Sequence, residues 1–456
     1  MTSAGGVLDR LRATGARVVV DPEVLQAYRQ DQALVLEAGT PLAVAMPAST
    51  AEVAALLRVC NEAGVAVVPR GAGSGLSGGA NAIDGCLVLC TNLMNRIVEV
   101  DPENLLAVVE PGVINADMRA AAAGLGLAYP PDPASAAFCS IGGNVATNAG
   151  GLCCVKYGVT RDSVLGLEVV LADGSVLNTG HRTLKGVVGY DLTGLFVGSE
   201  GTLGVVTRVT VRLRPPAAAP ATLVAFFPSL AAAGEAISAT RRALVPSLLE
   251  IIDGFTLRAV EDWKHLGLDA AAAAMLLVQS DSGGDLARAE MALVEEKCMA
   301  AGATSVMQSN DPVEAAMLVE ARRLAFPALE RLGSVLLDDV AVPLGRIAEL
   351  LARVEEIAAA EGVVVGTFGH AGDGNMHPTL VFDPLDHESR ARVNRAFAMV
   401  VEAALDLGGT ASGEHGVGTL KHGFLERELG PASLAAQRAI KAALDPRGIM
   451  NPGKAV

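Results

Sequence analysis

Three long loops of glycine and other small residues dominate the first half of the chain. They read PRGAGSGLSGG from Pro69 to Gly79, PPDPASAAFCSIGGNVATNAGG from Pro130 to Gly151, and GYDLTGLFVGSEGTLGVVT from Gly189 to Thr207. Small residues let backbone N–H groups converge on an anion, and glycine adopts the positive φ angles of tight turns. Three such loops in one region predict one elongated ligand held largely by backbone, and a dinucleotide such as FAD has that size.

The first loop also contains a formal G-x-G-x-x-G pattern at Gly73, Gly75 and Gly78. A Rossmann dinucleotide site would require a helix to follow directly. The sequence continues instead with GGANAIDGCLVL, which predicts a turn and then a strand. A purely structural glycine loop is the other alternative, and the two further loops weigh against it.

Composition excludes several functional classes. The net charge of −15 argues against nucleic acid and anionic membranes as main partners. No apolar run approaches the roughly 18 residues of a membrane helix, and no secretion signal is visible at the N-terminus. The seven cysteines contain no Cys-x-x-Cys, so no iron–sulfur cluster is expected in this chain. We therefore expect a cytoplasmic protein, with attachment to a membrane only through a partner.

The order of predicted elements divides the chain into a region with the three glycine loops at residues 1–216, a second region at 217–420 and a C-terminal helical segment at 421–456. A helix is predicted at Thr50–Ala63, opened by a capping box of Ser49 and Glu52. Arg214–Pro220, RPPAAAP, is typical of a linker. After it, apolar strands such as TLVAFFP alternate with amphipathic helices such as RIAELLARVEEIAAAEG. This pattern predicts an α+β fold.

Two of the seven histidines, His370 and His377, enclose the segment AGDGNM. On one flat strand, side chains seven residues apart point to opposite faces. Asp373 and the glycines beside it predict a turn that would bring the two imidazoles together. The segment SGEHGVG adds Glu414 and His415, and two imidazoles with one carboxylate suit Zn or Mn. A structural role, or a catalytic role without metal, is the alternative.

These motifs resemble a known family. PRGAGSGLSGG, IGGNVATNAGG and GSEGTLGVVT resemble the FAD domain of the vanillyl-alcohol oxidase (PCMH) type, and GHAGDGNMHP, SGEHGVG and NPGK resemble its D-2-hydroxyacid dehydrogenase branch. That branch includes the glycolate oxidase flavoprotein subunit, D-lactate dehydrogenase and D-2-hydroxyglutarate dehydrogenase. The resemblance implies an FAD domain of two α+β subdomains, a ferredoxin-like α+β substrate domain, and a C-terminal segment that returns to the FAD domain.

The resemblance also implies a set of FAD-binding residues, with the flavin bound noncovalently because the loop Pro69–Gly79 contains no histidine. The implied residues are Pro69, Arg70, Gly71, Ala72, Gly73, Ser74, Gly75, Leu76, Ser77, Pro131, Asp132, Ser135, Gly142, Gly143, Asn144, Thr147, Asn148, Gly150, Gly151, Glu200, Gly201, Val206 and Asn451. For Asn451, in NPGK, a simple turn is the alternative.

The same resemblance implies roles for the polar cluster. A divalent metal, Zn first and Mn second, would bind His370, His377 and Glu414 and lower the pKa of the substrate hydroxyl. His415 would be the general base. Arg322 would bind the substrate carboxylate through its guanidinium fork, whereas its neighbour Arg323 is expected on a solvated helix face.

Three positions indicate the substrate. D-2-hydroxyglutarate dehydrogenases hold a distal carboxylate with Thr, Lys and Asn side chains, and the matching positions here are Phe326, Leu337 and Thr379. Burying a second carboxylate against apolar groups is costly. We therefore expect a D-2-hydroxy monocarboxylate such as D-lactate, glycolate or a longer apolar acid.

Other functions stay open at this point. They are a D-2-hydroxyglutarate dehydrogenase, a non-redox FAD transferase of the alkyl-dihydroxyacetone-phosphate synthase type, and a noncatalytic flavin or metal binder. The expected electron acceptor is external: a quinone, a cytochrome, an electron-transfer flavoprotein or an iron–sulfur partner subunit. A homodimer is also expected from the resemblance.

Overall fold

The computed structural model describes residues 4–309 and 311–456, which form two compact units. Unit 1 comprises residues 1–150, 158–216 and 414–456, and unit 2 comprises 151–157 and 217–413. The linker predicted at Arg214–Pro220 contains the unit boundary at Pro216. Residues 414–420, which the sequence prediction assigned to the middle domain, lie in unit 1.

The helices of the described chain are named in chain order, and two short 3₁₀ helices lie at Leu344–Arg346 and His422–Phe424. They are α1 (Ala4–Arg12), α2 (Pro22–Tyr28), α3 (Thr50–Ala63), α4 (Asn115–Ala123), α5 (Ile141–Thr147), α6 (Cys154–Tyr157), α7 (Thr160–Ser163), α8 (Leu192–Phe196), α9 (Leu230–Ala243), α10 (Gly254–Lys264), α11 (Gly284–Ala300), α12 (Pro312–Arg323), α13 (Ala325–Glu330), α14 (Ile347–Glu361), α15 (His387–Asp406) and α16 (Leu425–Leu444).

The strands form three sheets, two in unit 1 and one in unit 2. They are β1 (Arg17–Val19), β2 (Ala43–Met46), β3 (Val67–Arg70), β4 (Leu87–Cys90), β5 (Ile97–Asp101), β6 (Leu106–Val109), β7 (Val164–Val170), β8 (Val176–Gly180), β9 (Val205–Arg212), β10 (Ala221–Phe227), β11 (Leu248–Asp253), β12 (Ala274–Ser280), β13 (Ser305–Ser309), β14 (Ser334–Leu337), β15 (Val340–Ala341), β16 (Val364–His370) and β17 (Asn375–Phe382).

Unit 1 contains a four-stranded sheet, β1-β2-β4-β3, and an antiparallel five-stranded sheet, β5-β6-β9-β7-β8. The strands β2, β4 and β3 are parallel, and their apolar residues pack against α3. Helix α3 has the predicted bounds. Ser49 caps it by accepting a hydrogen bond from Glu52 N at 3.3 Å, while the Glu52 carboxylate accepts from Ala48 N at 2.8 Å. The cap is therefore reciprocal, but displaced by one residue from the usual box.

The C-terminal segment belongs to the core of unit 1. Val67 N donates to Ile449 O at 2.7 Å, and Asn451 N donates to Val67 O at 2.8 Å, so the segment pairs with β3. Lys441, near the end of α16, donates to Thr202 O at 2.6 Å and to Met450 O at 2.7 Å. The C-terminal segment therefore returns to the first domain, as predicted, and is held there by hydrogen bonds of the main chain and of Lys441.

Unit 2 is built on one antiparallel sheet. Its strands lie in the order β13-β10-β12-β11-β16-β17-β14, and β15 pairs with β17. Helices α9, α11 and α14 cover this sheet with their apolar sides, as the amphipathic pattern predicts. The predicted turn after His370 is a hairpin between β16 and β17, where Gly374 has φ of 91°.

Within the described residues, no helix combines the length and the apolar character that a bilayer crossing requires.

Candidate flavin and metal-binding residues

The first glycine loop of unit 1 leaves β3 at Arg70. The Arg70 side chain is buried, donates to Gln30 O at 2.9 Å and lies over the Tyr28 ring at 5.7 Å. The guanidinium therefore makes local contacts inside unit 1 and is not exposed to solvent. A Cβ on Gly71 would overlap the Ser140 hydroxyl, so the absence of a side chain lets the first and second loops approach each other. The site has the backbone-lined character that a dinucleotide requires.

The polar side chains of the second loop mainly stabilise the loop itself and helix α5. Ser140 caps α5 by accepting from Gly143 N at 3.3 Å, and Asn144 accepts from Asn115 Nδ2 at 3.0 Å. Asn148 ends α5 with φ of 55° and accepts from Arg161 N at 2.9 Å. Among the predicted FAD residues, Pro131, Asp132 and Ser135 precede α5, Gly142, Gly143 and Thr147 lie in it, and Gly150 follows it, whereas Gly151 falls in unit 2.

Glu200 joins the third loop to the C-terminal part of unit 1. Its carboxylate accepts from Val417 N at 2.7 Å and Gly418 N at 2.8 Å, and burial raises its pKa from 4.5 to about 7. Asn451 donates through Nδ2 to Gly79 O at 2.9 Å and to Glu200 O at 2.7 Å. The predicted FAD residues Glu200 and Asn451 thus connect the first loop, the third loop and the NPGK segment.

In unit 2, the sheet register places the two predicted imidazoles on one face. Phe368 stands opposite His377, and His370 stands opposite Asn375, so all four side chains share a face of the β16–β17 hairpin. The two imidazole rings lie edge to face with centroids 5.2 Å apart, and both residues are buried. The turn predicted from the sequence therefore does bring them together.

A third strand supplies a carboxylate to this face. Glu250, in β11, lies 2.8 Å through Oε1 and 3.0 Å through Oε2 from His370 Nδ1. Its Oε2 is also 2.8 Å from Arg322 Nε, and the Arg322 guanidinium stacks over Phe368 at 4.7 Å. Glu250 is 1 % exposed and Arg322 is 5 % exposed, so the ion pair is buried. Arg323 is exposed.

A second buried carboxylate lies beside His377. Asp339 accepts from Asn375 Nδ2 at 2.8 Å and from Ser412 Oγ at 2.8 Å, and its Oδ1 is 3.9 Å from His377 Nδ1. Asp338 is also buried, and its Oδ1 accepts from Asp339 N at 2.7 Å. Both imidazoles therefore have a buried carboxylate on the Nδ1 side, at 2.8 Å for His370 and at 3.9 Å for His377. The contact at His370 has the length of the hydrogen bond that typically orients metal-ligating histidines.

These contacts fit a divalent metal. If Nδ1 of His370 donates its proton to Glu250, Nε2 keeps a lone pair, which is the form of imidazole that binds metal. Two histidines with nearby carboxylates suit Zn or Mn.

The two remaining predicted residues belong to unit 1. The Glu414 carboxylate packs against Gly150, where a Cβ would collide with it. His415 O accepts from Ser77 Oγ at 3.1 Å, and His415 Nε2 lies 3.7 Å from Glu414 Oε1. The predicted participation of Glu414 and His415 with the histidines of unit 2 stays a prediction.

Glu250 and Asp339 are not among the site residues predicted from the sequence. A signal for Glu250 was present, because it is the one charge inside the apolar part of SLLEIID, the segment that forms β11. A buried charge in a central strand needs a partner. The partner could not be named from the sequence, since His370 is 120 residues away.

Comparisons with known proteins bear on both units. An FAD binding domain model matches residues 41–180, and a model for the C-terminal domain of FAD linked oxidases matches 217–455. The chain is 46 % identical over 416 residues to glycolate oxidase subunit GlcD of Bacillus subtilis (strain 168), covering 91 % of this chain and 88 % of the relative. It is 35 % identical over 455 residues to a D-lactate dehydrogenase of Anaerostipes hadrus, and the match covers 96 % of this chain and 94 % of the relative. The solved structure of p-cresol methylhydroxylase with substrate bound has a TM-score of 0.84 at 19 % identity, and the match covers 100 % of this chain and 97 % of that chain.

The fold and the two matching domains define an FAD-linked oxidoreductase. The chain belongs to the FAD-linked D-2-hydroxyacid dehydrogenase family. The predicted α+β fold with an FAD domain of the vanillyl-alcohol oxidase type is confirmed, and so is the prediction of FAD.

Proposed function

We propose that the protein oxidises a D-2-hydroxy monocarboxylate, such as glycolate, D-lactate or a longer apolar acid, to the 2-oxo acid. The reaction removes the hydroxyl proton and the Cα hydride, and the two electrons pass from FAD to an external acceptor. One observation carries the proposal: a buried arginine and two buried histidines share one side of the sheet in unit 2. The names of the relatives, a glycolate oxidase subunit and a D-lactate dehydrogenase, support this substrate class.

Arg322 would bind the substrate carboxylate. Its Nε forms an ion pair with Glu250 Oε2 at 2.8 Å, and its guanidinium lies over the Phe368 ring at 4.7 Å. The edge formed by the two terminal nitrogens can then meet a carboxylate through two parallel hydrogen bonds. Because the guanidinium is buried, such a charged pair is screened little by water.

His370 and His377 would hold the divalent metal, with Zn the first choice and Mn the second. A metal bound there would lower the pKa of the substrate hydroxyl, and FAD would supply the two-electron acceptor. We propose Glu414 as a further ligand and His415 as the base that takes the hydroxyl proton, in keeping with the sequence prediction.

The surroundings of the substrate tail favour a monocarboxylate. Phe326 and Leu337 pack with the apolar cluster that contains Phe368. Thr379 stands opposite Leu337 in the sheet, is fully buried, and its hydroxyl donates to His377 O at 3.2 Å. A second substrate carboxylate at these positions would meet apolar carbon and a hydroxyl that is already engaged, at a desolvation cost of several kcal/mol.

The test is reduction of the bound flavin under anaerobic conditions. Glycolate, D-lactate, L-lactate and D-2-hydroxyglutarate are added at equal concentration, and the flavin absorbance is followed with and without EDTA. We expect D-lactate or glycolate to bleach the flavin fastest, EDTA to abolish bleaching, and Zn or Mn to restore it. Faster reduction by D-2-hydroxyglutarate would contradict the substrate class, and no bleaching by any acid would favour the non-redox transferase or a noncatalytic binder.

We also propose that electrons leave through a separate protein or a quinone. The described residues contain seven free cysteines, which the sequence spaces too irregularly for an iron–sulfur cluster. The subunit designation of the B. subtilis relative is consistent with a partner that carries the next electron acceptor.

A further inference from the structure

We propose that Glu250 is a positioning residue that sets carboxylate binding and metal binding together, by holding Arg322 and His370 through one side chain. This inference rests on the proposed function, because it assigns Arg322 to the substrate and His370 to the metal. It predicts that a single change at Glu250 impairs two separate binding events.

The sheet places Glu250 where it can do this. The strands β11 and β16 are antiparallel, with Ile252 opposite Phe368 and Ile251 opposite Gly369. Continuing this register by one residue sets Glu250 opposite His370. The backbone beyond is also fixed, since Gly372 N donates to Leu249 O at 2.9 Å. The contact to His370 is therefore imposed by strand pairing and does not depend on a flexible loop.

The two partners approach the carboxylate from different elements, Arg322 as an ion-pair partner through Nε and His370 at hydrogen-bond distance through Nδ1. Arg322 comes from the last turn of α12, and His370 from the end of β16. Glu250 is 1 % exposed, so its charge must be balanced by protein groups. The guanidinium supplies the balancing charge, and a carboxylate beside it acts only as an acceptor. A neutral imidazole then presents Nδ1–H to Glu250 and keeps Nε2 without a proton.

This arrangement has one consequence for each partner. For His370, the Nδ1–H tautomer is the one in which Nε2 can bind a metal. For Arg322, the ion pair at Nε holds the guanidinium beside the Phe368 ring and leaves the edge with the terminal nitrogens for a substrate carboxylate. The loss of the carboxylate would free both groups to turn, and both would lose binding geometry.

The first test compares the FAD-loaded wild type with Glu250→Gln, which keeps the size of the side chain. Zn²⁺ affinity is measured by competition with a chelator in the absence of substrate, and KM and kcat are measured with D-lactate or glycolate. We expect Zn²⁺ affinity to fall about 10- to 100-fold and KM to rise roughly 10-fold or more, with flavin content unchanged. Arg322→Lys should raise KM without changing Zn²⁺ affinity, and His370→Gln should lower Zn²⁺ affinity.

Asp253→Asn is the matched control. Asp253 ends the same strand and is a partly buried carboxylate, but it accepts from Thr256 N at 2.7 Å and from Thr367 N at 2.6 Å. It should lower thermal stability without changing Zn²⁺ affinity or KM. The inference is overturned if Glu250→Gln keeps the Zn²⁺ affinity and the KM of the wild type. It is also overturned if Asp253→Asn changes both quantities as much as Glu250→Gln does.

A measurement on the wild type covers the case in which Glu250→Gln does not fold. Metal-free protein labelled with ¹⁵N-histidine should show His370 protonated at Nδ1, assigned by the signal missing from His370→Gln. An Nε2–H tautomer would overturn the inference. If the wild type binds Zn²⁺ and oxidises a 2-hydroxy acid, and Glu250→Gln does both equally well, only the role of Glu250 is refuted. A wild type that does neither refutes the proposed function and this inference with it.

Discussion

The glycine loops of unit 1 and the polar cluster of unit 2 are two kinds of proposed binding region. The loops are built from glycine and small residues, and side chains such as Ser140 and Asn451 mainly hold the loops in place. The cluster is built from the side chains themselves, which come from β11, α12, β16 and β17. Backbone recognition leaves a local sequence pattern, whereas side-chain recognition depends on which strands become neighbours.

Two buried glutamates show the same difference. Glu200 in unit 1 is satisfied by the backbone N–H groups of Val417 and Gly418, and burial raises its pKa to about 7. Glu250 in unit 2 is satisfied by the side chains of Arg322 and His370. Neutral backbone dipoles hold the Glu200 carboxylate, with Lys454 as a nearby positive charge, whereas the Arg322 guanidinium forms a direct ion pair with Glu250. We expect changes in unit 1 to affect flavin retention and changes in unit 2 to affect the chemistry.

The largest effect is expected from His370→Gln. The loss of one imidazole ligand should lower kcat/KM by about 10³-fold or more, equivalent to ~4 kcal/mol, with flavin content retained. Anaerobic flavin reduction and Zn²⁺ binding are the measurements. His387→Gln, at the exposed first residue of α15, is the control and should behave as wild type. Loss of flavin in His370→Gln would contradict the separation of the two regions.

The next effect concerns stability and pH. Burial raises the pKa of Asp253 from 3.8 to about 6, so the folded state binds the proton more tightly than the unfolded state. The stabilisation is complete below about pH 4 and is lost as pH rises through about 6. A shift of about two units corresponds to at most about 3 kcal/mol.

Asp253→Asn removes this titration, so its thermal midpoint should vary less than that of the wild type between pH 4 and 6.5. The control is Asp386→Asn, at the exposed N-cap of α15, which should keep the wild-type pH profile. An unchanged profile in Asp253→Asn would show that Asp253 does not cause the dependence.

Arg322→Lys should raise KM about 50-fold, or ~2.3 kcal/mol, because a lysine cannot form the bidentate pair and also reach Glu250. Its kcat should change less than its KM. Steady-state kinetics with D-lactate or glycolate measure both. Arg323→Lys, at the exposed neighbouring residue, should leave KM unchanged. Equal effects at the two positions would argue against a substrate-binding role for Arg322.

The smallest effect is expected in unit 1. Gly71→Ala would push against the Ser140 hydroxyl and displace the cap of α5, a loss of roughly 1 kcal/mol. FAD affinity should fall about 5- to 10-fold, and Zn²⁺ affinity should not change. Gly423→Ala, where an added Cβ meets nothing within 4 Å, is the control. A change in Zn²⁺ affinity in Gly71→Ala would show that the two regions are coupled.

Much of the architecture could be predicted because its signals are local. The bounds of α3 follow from Ser49 and a helical apolar period, and the Asp173-Gly174 pair marks the hairpin between β7 and β8. The turn after His370 follows from Gly372 and Gly374. In each case the determining residues lie within a few positions of the feature, so no knowledge of distant contacts is needed.

The polar cluster could be predicted only in part. His370 and His377 were found because a short turn brings them together, and Arg322 was found by resemblance. Glu250 was missed because its partners come from other elements, and one of them, His370, is 120 residues away in the sequence. The charge in SLLEIID indicated that a partner exists but not which one.

The sequence by itself determined the glycine loops, the hairpin that carries the two histidines and the apolar strands of both units, because each depends on short-range φ/ψ preference and periodicity. Only the tertiary structure decided that β11 lies beside β16. That pairing buries the Glu250 charge against Arg322 and His370, and a buried charge is stable only where the fold brings donors to it.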